Sequence, residues 1–157
     1  MTRRPPPRHH SRRAALQVLY ATDLGAREGG TGRPEDVFEG VATHFDLHEG
    51  ARDFAAELAL GVAAHRDELD ACIAAHARNW RVERMAAVDR NVLRLAAYEL
   101  LHTETPASVV IDEAIELARD FGGERSPAFV NGVLDAIARD RDDARPPDTR
   151  AAAESEP

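Results

Sequence analysis

Three groupings of side chains in this sequence have the types and spacing that chemistry uses. Glu99-Leu-Leu-His102 has the Glu-x-x-His spacing with which helical bundles hold paired metal ions. Such a site needs a second Glu-x-x-His and two further glutamates, and the sequence contains no second one. His102 also falls at a helix end, where a histidine is favourable for the helix dipole alone. His44 and His48 stand four apart across Asp46-Leu47, a helix end with no clear carboxylate partner, and read as solvated loop histidines. Asp112, Glu116 and Asp120 form an acid ridge at i, i+4 spacing. Carboxylates can do acid/base work, but a ridge without a neighbouring base reads as a wet helix face. There is no phosphate-cradling glycine loop before a lysine and no Gly-x-Ser-x-Gly, and the absence of lysine excludes Schiff-base chemistry. The residues therefore point to a protein that is not an enzyme, with no catalytic group, no metal and no cofactor.

What remains is chemistry of binding. Residues 1–13 carry Arg3, Arg4, Arg8, Arg12 and Arg13 and no acid, while the other 144 residues set fifteen arginines against 28 acids, a balance of −13. A basic arm on an acidic body can neutralise phosphates while the body repels other polyanions; an incidental solubilising tail has the same composition. The second feature is Gly122-Gly123-Glu124-Arg125-Ser126-Pro127. It ends one helix and opens another, whose N-terminal amides and Arg125 suit a phosphate. Phe121 and Phe129 flank this turn and either stack on unpaired bases or belong to the core.

The elements that must position these residues are helical. Residues 1–10 read as an extended or disordered arm, and Ser11 as the N-cap of a first helix reaching about Asp23, with Leu16, Leu19 and Tyr20 on one face. Residues 25–33 read as a loop. Pro34, with Glu35 and Asp36 behind it, opens a second helix through Val37, Val41 and Phe45. The stripe Phe54, Leu58, Val62, Leu69 and Ile73 predicts one long helix from about Glu49 to Ala77, with Gly61 marking a close crossing or a bend. A fourth helix is expected over 82–102, a fifth from Thr105-Pro106 to Phe121, and a sixth opened by Ser126 as N-cap with Pro127 behind it. From Asp140 onward the chain is charged and unpatterned and reads as a disordered tail. The domain reading is an arm over 1–10, a helical body over 11–139 and a tail over 140–157.

Composition agrees. The chain has 157 residues, one domain's worth, with 43% hydrophobic residues rich in alanine and 31% charged. Every one of its 20 basic residues is arginine, and the net charge is −8. The single cysteine, Cys72, excludes an internal disulfide and a cysteine metal cluster and suits a reducing, cytoplasmic setting. No stretch reaches the ~18 apolar residues of a membrane span, and no internal repeat appears.

Three blocks carry a family resemblance. The first is Arg12-Arg13-Ala14-Ala15-Leu16-Gln17-Val18-Leu19-Tyr20. The second is Trp80 followed by Val88 through Leu100 (Val-Asp-Arg-Asn-Val-Leu-Arg-Leu-Ala-Ala-Tyr-Glu-Leu). The third is Ile111 through Ala118, then Phe121-Gly122, then Ser126 and Phe129 through Asp135. In order and in spacing these resemble the NusB family of transcription antitermination factors, over about Arg8 to Ala138. The resemblance implies an all-α fold of two packed three-helix bundles, about six to seven helices. It implies binding of boxA single-stranded RNA from ribosomal RNA operon leaders, jointly with the small-subunit ribosomal protein that acts as NusE, in the RNA polymerase antitermination complex. It places RNA contacts on Arg8, His9, Arg12, Phe121, Arg125 and Phe129, and the partner surface near Tyr20 and Asp89. This sequence departs from the pattern at three places. His9 and His10 replace arginines, so charge there depends on pH; Arg125 stands where an acid is familiar; Pro127 and Ala128 lack a basic side chain. A homodimer is left open by the sequence.

Overall fold

Seven α-helices and a short 3-10 turn make up the computed structural model, which describes residues 7–27, 33–45, 47 and 49–144. They are α1 (Pro7–Arg27), α2 (Pro34–Phe45), α3 (Glu49–Ala64), α4 (Arg66–His76), the 3-10 turn Val82–Arg84, α5 (Ala87–His102), α6 (Ala107–Phe121) and α7 (Ser126–Ala144). No strand occurs among the described residues. α1, α2 and α3 pack on one another as a first bundle; α5, α6 and α7 form a second, with α4 laid against α5 and α7. The expected pair of three-helix bundles is what the chain builds. No described helix is long and apolar enough to cross a membrane.

α5 is the shared element, in contact with α1, α3, α4, α6 and α7. Every side chain from Arg90 to Leu100 is buried. A helix enclosed on all sides is normally apolar all round, yet this one carries Arg90, Asn91, Arg94 and Glu99. Each polar group is matched. Asp23 of α1 accepts from Arg90 Nε at 2.9 Å, Arg90 Nη2 at 2.6 Å and Asn91 Nδ2 at 3.0 Å. Arg94 donates to both carboxylate oxygens of Asp70, at 2.7 and 3.0 Å. Burial pushes the Asp23 carboxyl up, but the hydrogen bonds from Arg90 and Asn91 and the charges of Arg90 and Arg94 outweigh it and hold it below the usual range. Arg90 also donates to the Val82 and Met85 carbonyls, so it closes the turn ahead of its own helix.

Four expectations about the elements are corrected. α1 begins at Pro7, not Ser11. Ser11 lies inside the helix, fully buried, and its hydroxyl donates to the Ala51 carbonyl at 2.7 Å; proline at the first helical position is the start signal actually used. The single helix expected over 49–77 is two, broken at His65 (φ −114, ψ 18). There the His65 N–H is shared between the Gly61 and Val62 carbonyls, at 3.1 and 3.2 Å. The helix expected over 82–102 is a 3-10 turn followed by α5. Its approach turns at Asn79, which adopts a left-handed φ of 71, a conformation asparagine tolerates better than most residues. Finally, α7 runs past Asp140 to Ala144. The expectations for residues 1–6 of the arm, for His48 and for 145–157 of the tail lie outside the described residues.

Gly61 is explained by its neighbour. A Cβ there would come within 2.3 Å of the Tyr98 ring, so the missing side chain lets α3 close on α5.

Candidate nucleic-acid interface

The first turns of α1 lie along α6. His9 Nδ1 is 2.8 Å from Glu113 Oε2, and Arg13 Nη1 donates to Asp120 Oδ2 at 2.9 Å. Beyond Asp120, Phe121 is half-buried, and the Arg13 guanidinium sits 4.8 Å from its ring centroid. One turn of α1 separates His9 from Arg13, so they share a face. Arg8 stands on another face, exposed, with its guanidinium 4.7 Å from the centroid of Phe54.

Arg12 does not join them. It is 3% exposed and donates through Nε and Nη2 to the two carboxylate oxygens of Glu99, both at 2.8 Å. Burial works against its charge, but the Glu99 hydrogen bonds, the Glu99 charge and that of Glu113 outweigh it, and the guanidinium stays protonated. Arg12 was expected as an RNA contact; in this structure its donors serve Glu99 in the interior. The same pair answers the Glu99–His102 reading. Glu99 faces Arg12 of α1, whereas His102 faces Glu68 of α4, with its Nε2 2.9 Å from Glu68 Oε1. The acid ridge of α6 is the wet face expected, with Asp112, Glu116 and Asp120 all exposed; Asp120 pairs there with Arg13 and Glu116 with Arg119.

After Phe121 the chain turns sharply. A Cβ on Gly122 would lie 2.7 Å from the Ala118 carbonyl and 2.6 Å from the Ser126 hydroxyl, so only glycine fits without displacing backbone. Ser126 is the first residue of α7, and its hydroxyl accepts from the Gly123 N–H at 2.9 Å, upstream instead of capping the helix ahead. That bond fixes the turn and leaves Arg125 exposed, with no described acid paired to it. Behind the turn lies a groove of about 1050 Å³ lined by residues including Trp80, Met85, Asp89, Arg125 and Phe129. Phe129 is half-buried and meets Trp80 edge-to-face, ring centroids 5.7 Å apart. Trp80 is 58% exposed, far more than any other large apolar side chain described. Phe129 packs partly against the core and also lines the groove.

Asp89 lines that groove in the first turn of α5, and its Oδ1 is buried with no hydrogen-bond partner among the described residues. A carboxylate oxygen left in this state costs free energy that an incoming donor would recover. Tyr20, half-buried, precedes Asp23 by one turn of α1. The Asp23–Arg90 bond thereby holds the Tyr20 and Asp89 segments side by side.

The site thus assembles His9 and Arg13 with Phe121, then Arg125, then Phe129 with Trp80. Two of these, Arg13 and Trp80, are absent from the residues expected as contacts. Arg13 was legible by its i+4 relation to His9. Trp80 was named only within a family block, and its residue type, a large aromatic in a polar stretch, was the further signal.

An all-helical body of two bundles, carrying an arginine-and-aromatic edge along one helix pair and a helix turn, defines the class: a helical binding protein. The chain belongs to the NusB family, whose model matches residues 9–139. Over 134 residues it is 49% identical to the transcription antitermination protein NusB of Anaeromyxobacter dehalogenans, covering 83% of this chain and 89% of that one. Over 148 residues it is 43% identical to the NusB of Solibacter usitatus, covering 91% and 96%. Among solved structures, T. maritima NusB superposes with a TM-score of 0.79 at 32% identity, over 96% of this chain and 99% of that one. A crystal structure of the antitermination factors NusB and NusE in complex with dsRNA superposes with a TM-score of 0.76 at 29% identity, over 85% and 97%.

Proposed function

We propose that this protein is a non-enzymatic transcription antitermination factor. It binds boxA RNA from ribosomal RNA operon leaders together with the ribosomal protein acting as NusE, and so joins the antitermination complex of RNA polymerase. The observation that carries the reading is the continuous edge from Arg13 on Phe121, through exposed Arg125, to Trp80 on Phe129. Cations for phosphates alternate there with rings for bases, which is how single-stranded nucleic acid is held. The structural likeness to a NusB bound to NusE and RNA supports it. Arg8, His9, Phe121, Arg125 and Phe129 are proposed RNA contacts, with Arg13 and Trp80 added; Arg12 acts through Glu99 by fixing the pitch of α1. Tyr20 and the unpartnered oxygen of Asp89 are proposed to receive the ribosomal protein.

The test is a titration of fluorescent boxA-like RNA with the full chain, with and without the ribosomal protein, at two salt concentrations. Binding that tightens with the partner and weakens with salt is expected. The slope of log K against log salt should be about −0.7 per phosphate contact. A salt-independent affinity, or no binding in either condition, would replace this reading with a protein–protein scaffold.

A further inference from the structure

Away from the arginine edge, three potential metal ligands converge where the two bundles meet. His65 occupies the break between α3 and α4, Glu68 the first turn of α4, and His102 the last turn of α5. One ligand atom from each lies within 4.8 Å of the others. The imidazole centroids of His65 and His102 are 4.2 Å apart, and Tyr98 stacks on His102 at 5.3 Å. His65 is half-buried, while Glu68 and His102 are open to solvent.

The hydrogen bonds already present orient the donors. His65 Nδ1 is 2.9 Å from the Gly61 carbonyl, so Nδ1 carries the proton and Nε2 presents a lone pair. A ring nitrogen donating to a backbone carbonyl is the support that metal-binding histidines characteristically have. The His102 ring is held by Tyr98 with Nε2 directed at Glu68. Among the described residues only His102 pairs with Glu68, and the proton its Nε2 donates there leaves to solvent when a metal binds.

We propose that His65, Glu68 and His102 form a site for a late first-row divalent cation, zinc being the representative. His65 Nε2, His102 Nε2 and one Glu68 oxygen are the ligands, and water completes the tetrahedron. Zinc–ligand bonds of about 2.0–2.1 Å put tetrahedral ligand atoms roughly 3.3 Å apart. Rotation of the exposed Glu68 side chain, with a small turn of the His102 ring in its stack, would close the remaining distance. Two imidazoles and a carboxylate favour zinc, nickel or copper over magnesium or calcium, which prefer all-oxygen sets. Bound there, the ion ties the α3–α4 corner to the end of α5, and so one bundle to the other.

The test uses the full, untagged chain, stripped with chelator and titrated with zinc chloride by calorimetry and with cobalt chloride by visible absorption. One equivalent of zinc is expected to bind, and cobalt is expected to give the intense bands of a tetrahedral ion. His65→Gln and His102→Gln should each weaken zinc binding at least tenfold, Glu68→Gln should weaken it less, and His9→Gln with His10→Gln should leave it unchanged. All these side chains reach solvent, and circular dichroism confirms that each variant folds. At hundredfold excess over Kd, zinc should raise the Tm by about 5–10 °C. The proposal is overturned if no binding is seen up to about 1 mM zinc, or if neither His65→Gln nor His102→Gln weakens it tenfold.

Discussion

The arginines of the helical interior and those of the α1–α6–α7 edge are chemically identical and are used in opposite ways. Arg12, Arg90 and Arg94 are at most 4% exposed, and each finds a carboxylate at hydrogen-bond distance inside the fold. Arg13 and Arg125 of that edge lie at the surface, the one resting on the Phe121 ring and the other facing a groove; Arg8, on another face of α1, likewise rests on the Phe54 ring. Arg12 and Arg13 are adjacent in sequence, so neither residue type nor local composition separates the two groups. Helical phase does. Arg12 precedes Leu16 by four residues and Leu19 by seven, which continues the buried stripe, and Arg13 is turned about 100° away. The net charge of the arm is therefore not the charge it presents to a ligand.

The strongest way to break this comparison is to remove a buried acid. Asp23→Ala leaves Arg90 buried without its carboxylate, and a loss of about 3–5 kcal/mol is expected in urea denaturation. Arg13→Ala, which opens a half-exposed pair with Asp120, should cost under about 1 kcal/mol. Equal losses would erase the distinction. The Asp23 carboxyl is held below its ordinary range, so its contribution is present above the pKa of the unfolded chain. It is lost as pH falls through the folded value, on the acid side of about pH 4. Asp23→Ala should accordingly flatten the acid limb of the stability profile.

Interior geometry should be nearly as unforgiving as interior charge. Gly61→Ala places a methyl against the Tyr98 ring, and Tyr98 is itself packed between helices. An overpacking loss of about 1–3 kcal/mol is expected by thermal denaturation. A neutral result would mean that Tyr98 can swing aside, and that α3 and α5 are less tightly set than their contact suggests.

On the edge, the readout moves from stability to RNA. Trp80→Ala should weaken boxA RNA binding by about 1–3 kcal/mol, the worth of one stacked base, while leaving the Tm within a few degrees because the ring is mostly exposed. Arg13→Ala and Arg125→Ala should each reduce the salt slope by about 0.7, one phosphate contact apiece. Arg12→Met should leave that slope unchanged and register only as lost stability. A slope that drops for Arg12→Met and not for Arg13→Ala would reverse the assignment of the two neighbours.

Most of the helical architecture was legible because apolar residues recur at helical spacing and Pro34, Gly122-Gly123 and Ser126-Pro127 punctuate it. The break at His65 was not. Val62 and Leu69 are seven apart, two helical turns, so the stripe runs through the break in register and hides it. Arg90 and Arg94 were also opaque, because a helix buried on every side has no wet face for periodicity to reveal. The His65–Glu68–His102 cluster depends on residues 34 and 37 positions apart meeting at the bundle junction, which no local spacing encodes. Glu99-Leu-Leu-His102 had the spacing and lacked the convergence, since its two side chains point to different neighbours.

The smallest expected effect tests whether the far end of α7 is held by charge. His76 of α4 is largely buried, with Nδ1 2.7 Å from the Cys72 carbonyl and Nε2 2.5 Å from Asp140 Oδ2. Burial lowers its pKa, but the Cys72 hydrogen bond and the Asp140 carboxylate outweigh that, and the net displacement is upward. A histidine raised in the folded state contributes stability fully below its unfolded value, near pH 6.5, and loses that contribution as pH rises through the folded value. The chain should therefore be slightly more stable at pH 6 than at pH 8, by under about 1 kcal/mol because Asp140 is solvated. Asp140→Asn should shrink this difference without altering RNA binding, as measured by denaturation at the two pH values and by the boxA titration. A pH dependence unchanged in Asp140→Asn would locate it elsewhere and leave α7 held by its buried apolar face, Val130, Val133, Leu134 and Ile137 among it, whatever the pH.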